Sequence, residues 1–305
     1  MRDLTRRGRV GSRAVRSGSI TLAAAVLACG LATSGCAAFG GSSSASGPGG
    51  APTSAGSASD SPSWRSSPTS KHSAGGNRAK PLAGKVVGID AGHNGLNHTD
   101  PGFLNQQVFN GRTMEACDTT GTQTASGYTE ALFNFTVATF LRKMLRREGA
   151  KVVMTRRNND GLGPCVNQRS FIINRAHSDV AIDIHADGGP VNGRGFTVLE
   201  PIADGPNDKV INSSDVFGSY VHQAFRHDTP FGISDYYGSN GYISRSDLAG
   251  LNLTTVPKVL IECGNMPNPQ DAALLTSPKI QREIARALNA AIVRFLTGHW
   301  PRGTA

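Results

Sequence analysis

Four short β-branched runs constrain the fold of this chain most: 85–90, 151–155, 180–185 and 257–262. Between them lie segments whose apolar residues recur at helical spacing. The segment 129–147 carries Leu132, Phe133, Val137, Phe140, Leu141 and Met144, then a cluster of Arg and Lys before Gly149. A shorter helix is expected over 168–177, and another over 214–226 through Val216, Tyr220, Val221, Ala224 and Phe225. The last, after Ser277 as N-cap and Pro278, places Ile280, Ile284, Leu288, Ile292 and Phe295 on one face. Strands at 195–199, taken as an edge, and 242–244 complete the set. Strands alternating with helices predict an α/β single domain, a mostly parallel twisted sheet of about six strands flanked by helices.

The polar, Gly-rich stretch 94–129 reads as a long surface loop with a hairpin near 118–128. A loop of that length in a compact domain is usually functional. Three predicted strands end on chemistry: one runs into His93, one into His185 and one into Glu262, while Glu130 opens the first long helix. In open α/β sheets ligands bind outside the carboxyl ends of the strands. Taken singly, each of these four side chains suits a structural role at least as well as a chemical one. Two imidazoles and a carboxylate, however, are a ligand set of catalytic zinc, and a further Glu is the base that such a site needs.

These segments resemble the zinc-dependent N-acetylmuramoyl-L-alanine amidases that cleave bacterial peptidoglycan. The resemblance rests on Asp90-Ala91-Gly92-His93-Asn94-Gly95, on Glu130, on Ile184-His185-Ala186-Asp187, and on Val259 through Asn268, and covers about residues 85–297. It implies one zinc ion held by His93, Glu130 and His185, with Glu262 as catalytic acid/base. It further implies hydrolysis of the amide joining N-acetylmuramic acid to L-alanine of the stem peptide, on peptidoglycan or muropeptide substrates. Two departures stand out. Asp183 occupies a position that is usually Ser, and Cys263-Gly264-Asn265 replaces the usual x-Gly-Phe. Asp183 shares a strand face with His185 and is read either as a support for that ring or as a carboxylate paired with Arg169 or Arg175. No helical insertion covers the motifs, so an open cleft is expected.

The net charge of +9 suggests a nucleic-acid surface, but its distribution argues against one. Residues 1–36 hold +5, residues 37–80 hold +3, and the rest only +1. Residues 1–36, Arg-rich and then apolar from Ile20 to Leu31, have the layout of an export signal. Cys36 after Ser34-Gly35 resembles a lipoprotein processing site, although Thr33 stands where Leu is usual. Residues 37–80 are expected to be a disordered Ser/Gly/Pro-rich linker, a tether to a membrane if Cys36 is lipidated, and 81–300 the catalytic domain. The chain is therefore expected in the periplasm or cell envelope, as a monomer. In an exported protein Cys117 and Cys165 are expected to pair, the alternative being two free thiols. Cys263 is read as an inert buried thiol, and His98 and Asp100 as the loop residues to watch for substrate contact. Two other readings stay open: a zinc carboxypeptidase acting on the stem peptide, and a non-catalytic peptidoglycan-binding envelope protein.

Overall fold

The structure is a computed structural model and describes residues 80–301. The expected export signal, Cys36 and nearly all of the linker lie outside the described residues. In chain order the elements are β1 (Val86–Ala91), α1 (Pro101–Leu104), β2 (Gln107–Phe109), β3 (Met114–Ala116), α2 (Glu130–Arg147), β4 (Lys151–Met154) and α3 (Val166–Arg175). There follow β5 (Val180–Asp187), β6 (Thr197–Pro201), α4 (Ile211–Asp228), β7 (Tyr242–Arg245), α5 (Ala249–Asn252), β8 (Lys258–Asn265), α6 (Pro269–Leu275) and α7 (Pro278–Thr297). Six strands make one sheet in the order β4-β1-β5-β8-β6-β7. All neighbours in it are parallel except β8 and β6.

The sheet is covered on its two faces by different chemistry. On one, Val87, Ile89, Ile182, Ile184, Val259 and Ile261 pack against Phe133, Val137 and Leu141 of α2, Phe217 and Val221 of α4, and Ile284, Leu288 and Ile292 of α7. The central strands are buried on both faces, which is why they read as continuous apolar runs rather than alternating ones. On the other face, under α3 and α5, the apolar cluster is small, Leu199, Leu251 and Leu260. Beside it lie Asp90, Asp183, Lys258 and Arg169, all buried. Side chains alternate across a strand, so the same three strands build an oily core with one set of residues and a charged layer with the other.

Several sequence expectations need correcting. β6 is interior, and β7 forms the edge, because the chain returns from α4 to lay a further strand outside β6. The hairpin sits at β2 and β3, not near 118–128, where one isolated bridge joins Gln123 to Thr129. Its turn had a signal that was missed, Asn110-Gly111. The Asn110 side chain accepts from the backbone N–H of Arg112 and Thr113 at 2.9 and 2.8 Å, and Gly111 takes φ 105°. Leu132 and Val216 are 40% and 48% exposed rather than on the buried stripes. Leu145 and Phe217 hold the core positions instead. Ser277 stands at the N-cap of α7, but its side chain makes no capping hydrogen bond. Thr129 does cap α2, accepting from Leu132 N at 3.4 Å, and so sets where the helix begins at Glu130.

Cys117 and Cys165 are disulfide-bonded across 48 residues of chain. The bridge ties the long loop to the start of α3, where the Cys165 N–H also donates to Gln168 Oε1 at 3.1 Å. Closing a loop of this length contributes about 4 kcal/mol on the chain-entropy account. Replacing both cysteines by Ser should therefore lower the unfolding free energy by about 2–5 kcal/mol. Urea unfolding of the oxidised protein and of the double variant checks this.

Candidate metal centre

The sheet topology brings the chemistry together. β1 and β5 are neighbours, so the residues that follow them emerge side by side. His185 on β5 lies in register with Glu262 on β8. His93 lies two residues beyond the end of β1, and α2 starts over the same edge with Glu130 in its first turn.

Around Glu130 the geometry is tight. Its Oε1 lies 3.1 Å from His93 Nε2 and 2.8 Å from His185 Nδ1. The two rings meet edge to face with centroids 4.8 Å apart. Such closeness needs Gly92, since a Cβ there would fall 2.2 Å from the His185 ring. Gly121, at φ 71°, is needed likewise, because its Cβ would press on His93 and Glu130. His93 itself holds φ 57°, a left-handed conformation that an L-residue adopts at a cost of about 1–2 kcal/mol. Arg169 Nη2 fixes that turn by donating to the His93 carbonyl at 2.8 Å.

The remaining oxygens and nitrogens are tied back to the fold. Glu130 Oε2 accepts from Thr122 N at 2.9 Å, and Oε1 from Asn134 Nδ2 and Ala186 N, each at 3.3 Å. His93 Nδ1 meets Asp118 Oδ1 at 3.0 Å. Arg156 bridges the end of β1 to α2, donating to Ala91 O at 2.8 Å and Ala131 O at 2.6 Å. It thereby holds the elements that carry His93 and Glu130 at a fixed separation. Beneath them runs a buried chain of ion pairs, Asp118–Arg169–Asp90–Lys258–Asp183.

Electrostatics follow from this packing. Burial favours the neutral imidazole of His93, but the adjacent Glu130 carboxylate and the Asp118 hydrogen bond override it and raise its pKa to about 9. His185 is likewise held well above the ordinary histidine value against its burial, chiefly by the carboxylates of Asp183 and Glu130. Burial works on Glu130 the other way, and the two imidazoles overcome it and hold the carboxyl well below its usual range. Glu262 is different: burial, with Glu130 and Asp187 nearby, pushes its pKa up to about 8 against the pull of the two imidazoles. Its Oε2 is buried without a hydrogen-bond partner.

The donor set suits a divalent cation. His93, Glu130 and His185 each offer an atom within 4.8 Å of the others. Ligands around one zinc, at about 2.0–2.2 Å from it, stand about 3–3.5 Å apart, and the two Glu130 contacts, at 3.1 and 2.8 Å, lie near that spacing. Both imidazoles keep some exposure, 12% and 16% of the side chain, so the cluster is reachable from the cleft that Thr122, Leu199, Arg245 and Glu262 also line.

The other sequence candidates fall elsewhere. Asp100 caps α1, accepting from Phe103 N at 2.8 Å, and His98 is exposed in the short turn before it. Neither lines the cleft. Cys263 is buried on the face opposite Glu262, and burial pushes its thiol well up, which suits an inert group. Asp183 does face His185, but its cation is Lys258 rather than Arg169 or Arg175. Asp118, Arg156 and Lys258 were not anticipated. Lys258 had a signal, a charge in an apolar strand on the same face as Leu260 and Glu262. Asp118 and Arg156 sit in loops, where no periodicity marks them.

Residues 87–294 match the family model described as N-acetylmuramoyl-L-alanine amidase, Amidase_3. Over 224 residues the chain is 38% identical to N-acetylmuramoyl-L-alanine amidase Rv3717 of Mycobacterium tuberculosis, covering 70% of this chain and 88% of that one. The crystal structure of the amidase Ami1 from Mycobacterium smegmatis is similar with a TM-score of 0.67 and 36% identity, over 72% of this chain and 99% of that one. Ami1 from Mycobacterium abscessus gives 0.66 and 38%, over 70% and 100%.

A cation can bind imidazole only in its neutral form, whereas His93, with its pKa raised to about 9, carries a proton in the metal-free protein at neutral pH. Loading with Zn2+ at pH 7 should therefore release protons, and affinity should rise with pH up to about 9 and fall below it. Titration calorimetry in buffers of different ionisation enthalpy measures both.

Proposed function

The chain belongs to the N-acetylmuramoyl-L-alanine amidase family, and on that premise we propose that it hydrolyses the amide between N-acetylmuramic acid and the L-alanine of the peptidoglycan stem, with one zinc ion held by His93, Glu130 and His185. The observation that carries this reading is the meeting of those three side chains at a single point, beside a buried and unpartnered Glu262 oxygen. A zinc ion there would supply Lewis acidity, lowering the pKa of a water toward about 7 and polarising the scissile carbonyl.

The chain's own residues do the rest. Glu262 has the position and basicity of a proton shuttle. Burial makes its carboxylate a stronger base than an exposed one, and in the ionised form its free oxygen can accept the proton of the attacking water. The protonated acid then delivers that proton to the departing amine of L-alanine. Without it the amine would leave as an unstable anion. It follows that the leaving peptide lies on the Glu262 side of the cleft, and the muramoyl group on the other. Glu130 is fixed by two backbone N–H groups and Asn134, so it offers an oxygen to both rings without reorganising.

Peptidoglycan lies outside the cytoplasmic membrane, and the disulfide suits an oxidising compartment. We read the chain as an exported enzyme of the envelope, tethered to a membrane if Cys36 is lipidated, and working as a monomer. Among the described residues no helix is long and apolar enough to cross a membrane.

Mass spectrometry of digested peptidoglycan tests the bond cleaved. New free L-alanine N-termini, lost on adding a chelator and restored by Zn2+, are the expected result. Release of D-alanine instead would indicate a carboxypeptidase. Glu262→Gln should reduce kcat by about 10²–10⁴-fold while the protein still retains zinc. An unchanged rate would remove Glu262 from the mechanism.

A further inference from the structure

Asp183 is the surplus member of the buried ion-pair chain. Asp118 pairs with Arg169 at 3.3 Å, Arg169 with Asp90 at 2.8 Å, Asp90 with Lys258 at 2.9 Å, and Lys258 with Asp183 at 3.3 Å. Three carboxylates thus share two cations. Without Asp183 the other acids and bases would balance, with Lys258 still on Asp90. A buried carboxylate that local charge balance does not require is a net cost unless it acts on something else.

The geometry identifies what it acts on. Lys258 holds Asp183 Oδ2, and the pair lies against the backbone of Gly250, where a Cβ would stand 3.1 Å from that oxygen. The other oxygen, Oδ1, is buried and accepts no hydrogen bond. It stands 3.3 Å from His185 Nε2, on the side of the ring away from Glu130, which meets Nδ1 at 2.8 Å. His93 is flanked in the same way, by Glu130 at Nε2 and by Asp118 at Nδ1. Both rings therefore carry a carboxylate behind them, but only that of Asp183 has an oxygen still waiting for a donor.

We propose that Asp183 is a positioning residue: its free oxygen takes the outward N–H of His185, fixes the tautomer that leaves Nδ1 bare, and tightens the centre's hold on a divalent cation. This inference rests on the reading of His93, Glu130 and His185 as the ligands. Lys258 takes part by clamping the opposite oxygen, so that Asp183 cannot turn away from the ring.

The test is cation affinity, measured on the full-length chain by competition with a chromophoric chelator for Zn2+, with the visible absorption of the Co2+ form as a second readout. Asp183→Leu removes charge and acceptor together and should weaken binding about 10–100-fold and shift the Co2+ bands. Asp183→Asn keeps an acceptor oxygen, so its loss should be smaller, about 3–10-fold. A residue that served only packing would lower the melting temperature and leave both readouts unmoved. Either variant, folded and binding Zn2+ within twofold of the parent with an unchanged Co2+ spectrum, overturns the proposal. Should the Leu variant not fold, the Asn variant decides. A parent protein that binds neither metal overturns the ligand reading itself, a different outcome from failure of Asp183 alone.

Discussion

The buried carboxylate of Asp90 has to stay charged in a layer that water does not reach, and this requirement organises the functional end of the molecule. Burial alone would neutralise it. Lys258 and Arg169 overcome that and hold its carboxyl far below the ordinary range, while Thr155 adds a hydrogen bond at 2.7 Å. Lys258 comes from β8 and Arg169 from α3, so satisfying one side chain fixes two further elements against β1. The same Arg169 holds the His93 carbonyl and Asp118, and the same Lys258 holds Asp183. Ion pairs of this kind are not a cheap source of stability, because desolvation offsets most of their attraction. What they confer is placement. Remove one partner and a charge is stranded, so the arrangement resists alternatives.

From that layer the site follows by strand geometry. β1, β5 and β8 carry Asp90, Asp183 and Lys258 toward α3 and α5. On the same face, at the carboxyl end, β5 and β8 present His185 and Glu262. On the opposite face the same three strands meet α2, α4 and α7 with apolar side chains, Cys263 among them. The division of labour is sharp: the oily face supplies cohesion, and the charged face supplies direction. α2 links them, since its stripe of Phe133, Val137 and Leu141 seats it on the oily face while its first turn carries Glu130 over the edge.

The proposed chemistry uses contrasting environments only a few ångströms apart. Glu130, between two imidazoles, stays ionised and suits a ligand. Glu262, nearly as buried but without a cation in contact, is pushed up to about 8 and suits a group that must take and give a proton. Two glutamates of identical intrinsic acidity thus acquire different roles from what surrounds them. The strained backbone of His93 belongs to the same economy, since its left-handed turn aims the ring back at Glu130 instead of along the strand.

Local sequence determined a good deal of this. Strands β1, β4, β5 and β8 and helices α2, α4 and α7 follow from apolar period and composition, since burial on one or both faces dictates which side chains each element can carry. His93, His185 and Glu262 were visible because each stands where an apolar strand run stops, and Glu130 because it opens the apolar stripe of the first long helix. The bridge between Cys117 and Cys165 was open to inference because few cysteines were available to pair. The order of β6 and β7 and the identity of the supporting residues were decided only by the tertiary fold. Asp118 finds His93, Arg156 finds Ala131, and Lys258 finds Asp90 across 168 residues. Periodicity reports which face of an element is buried, because that is a property of neighbours in the chain. It carries no information on which buried charge will meet which, because that depends on how elements distant in sequence are stacked.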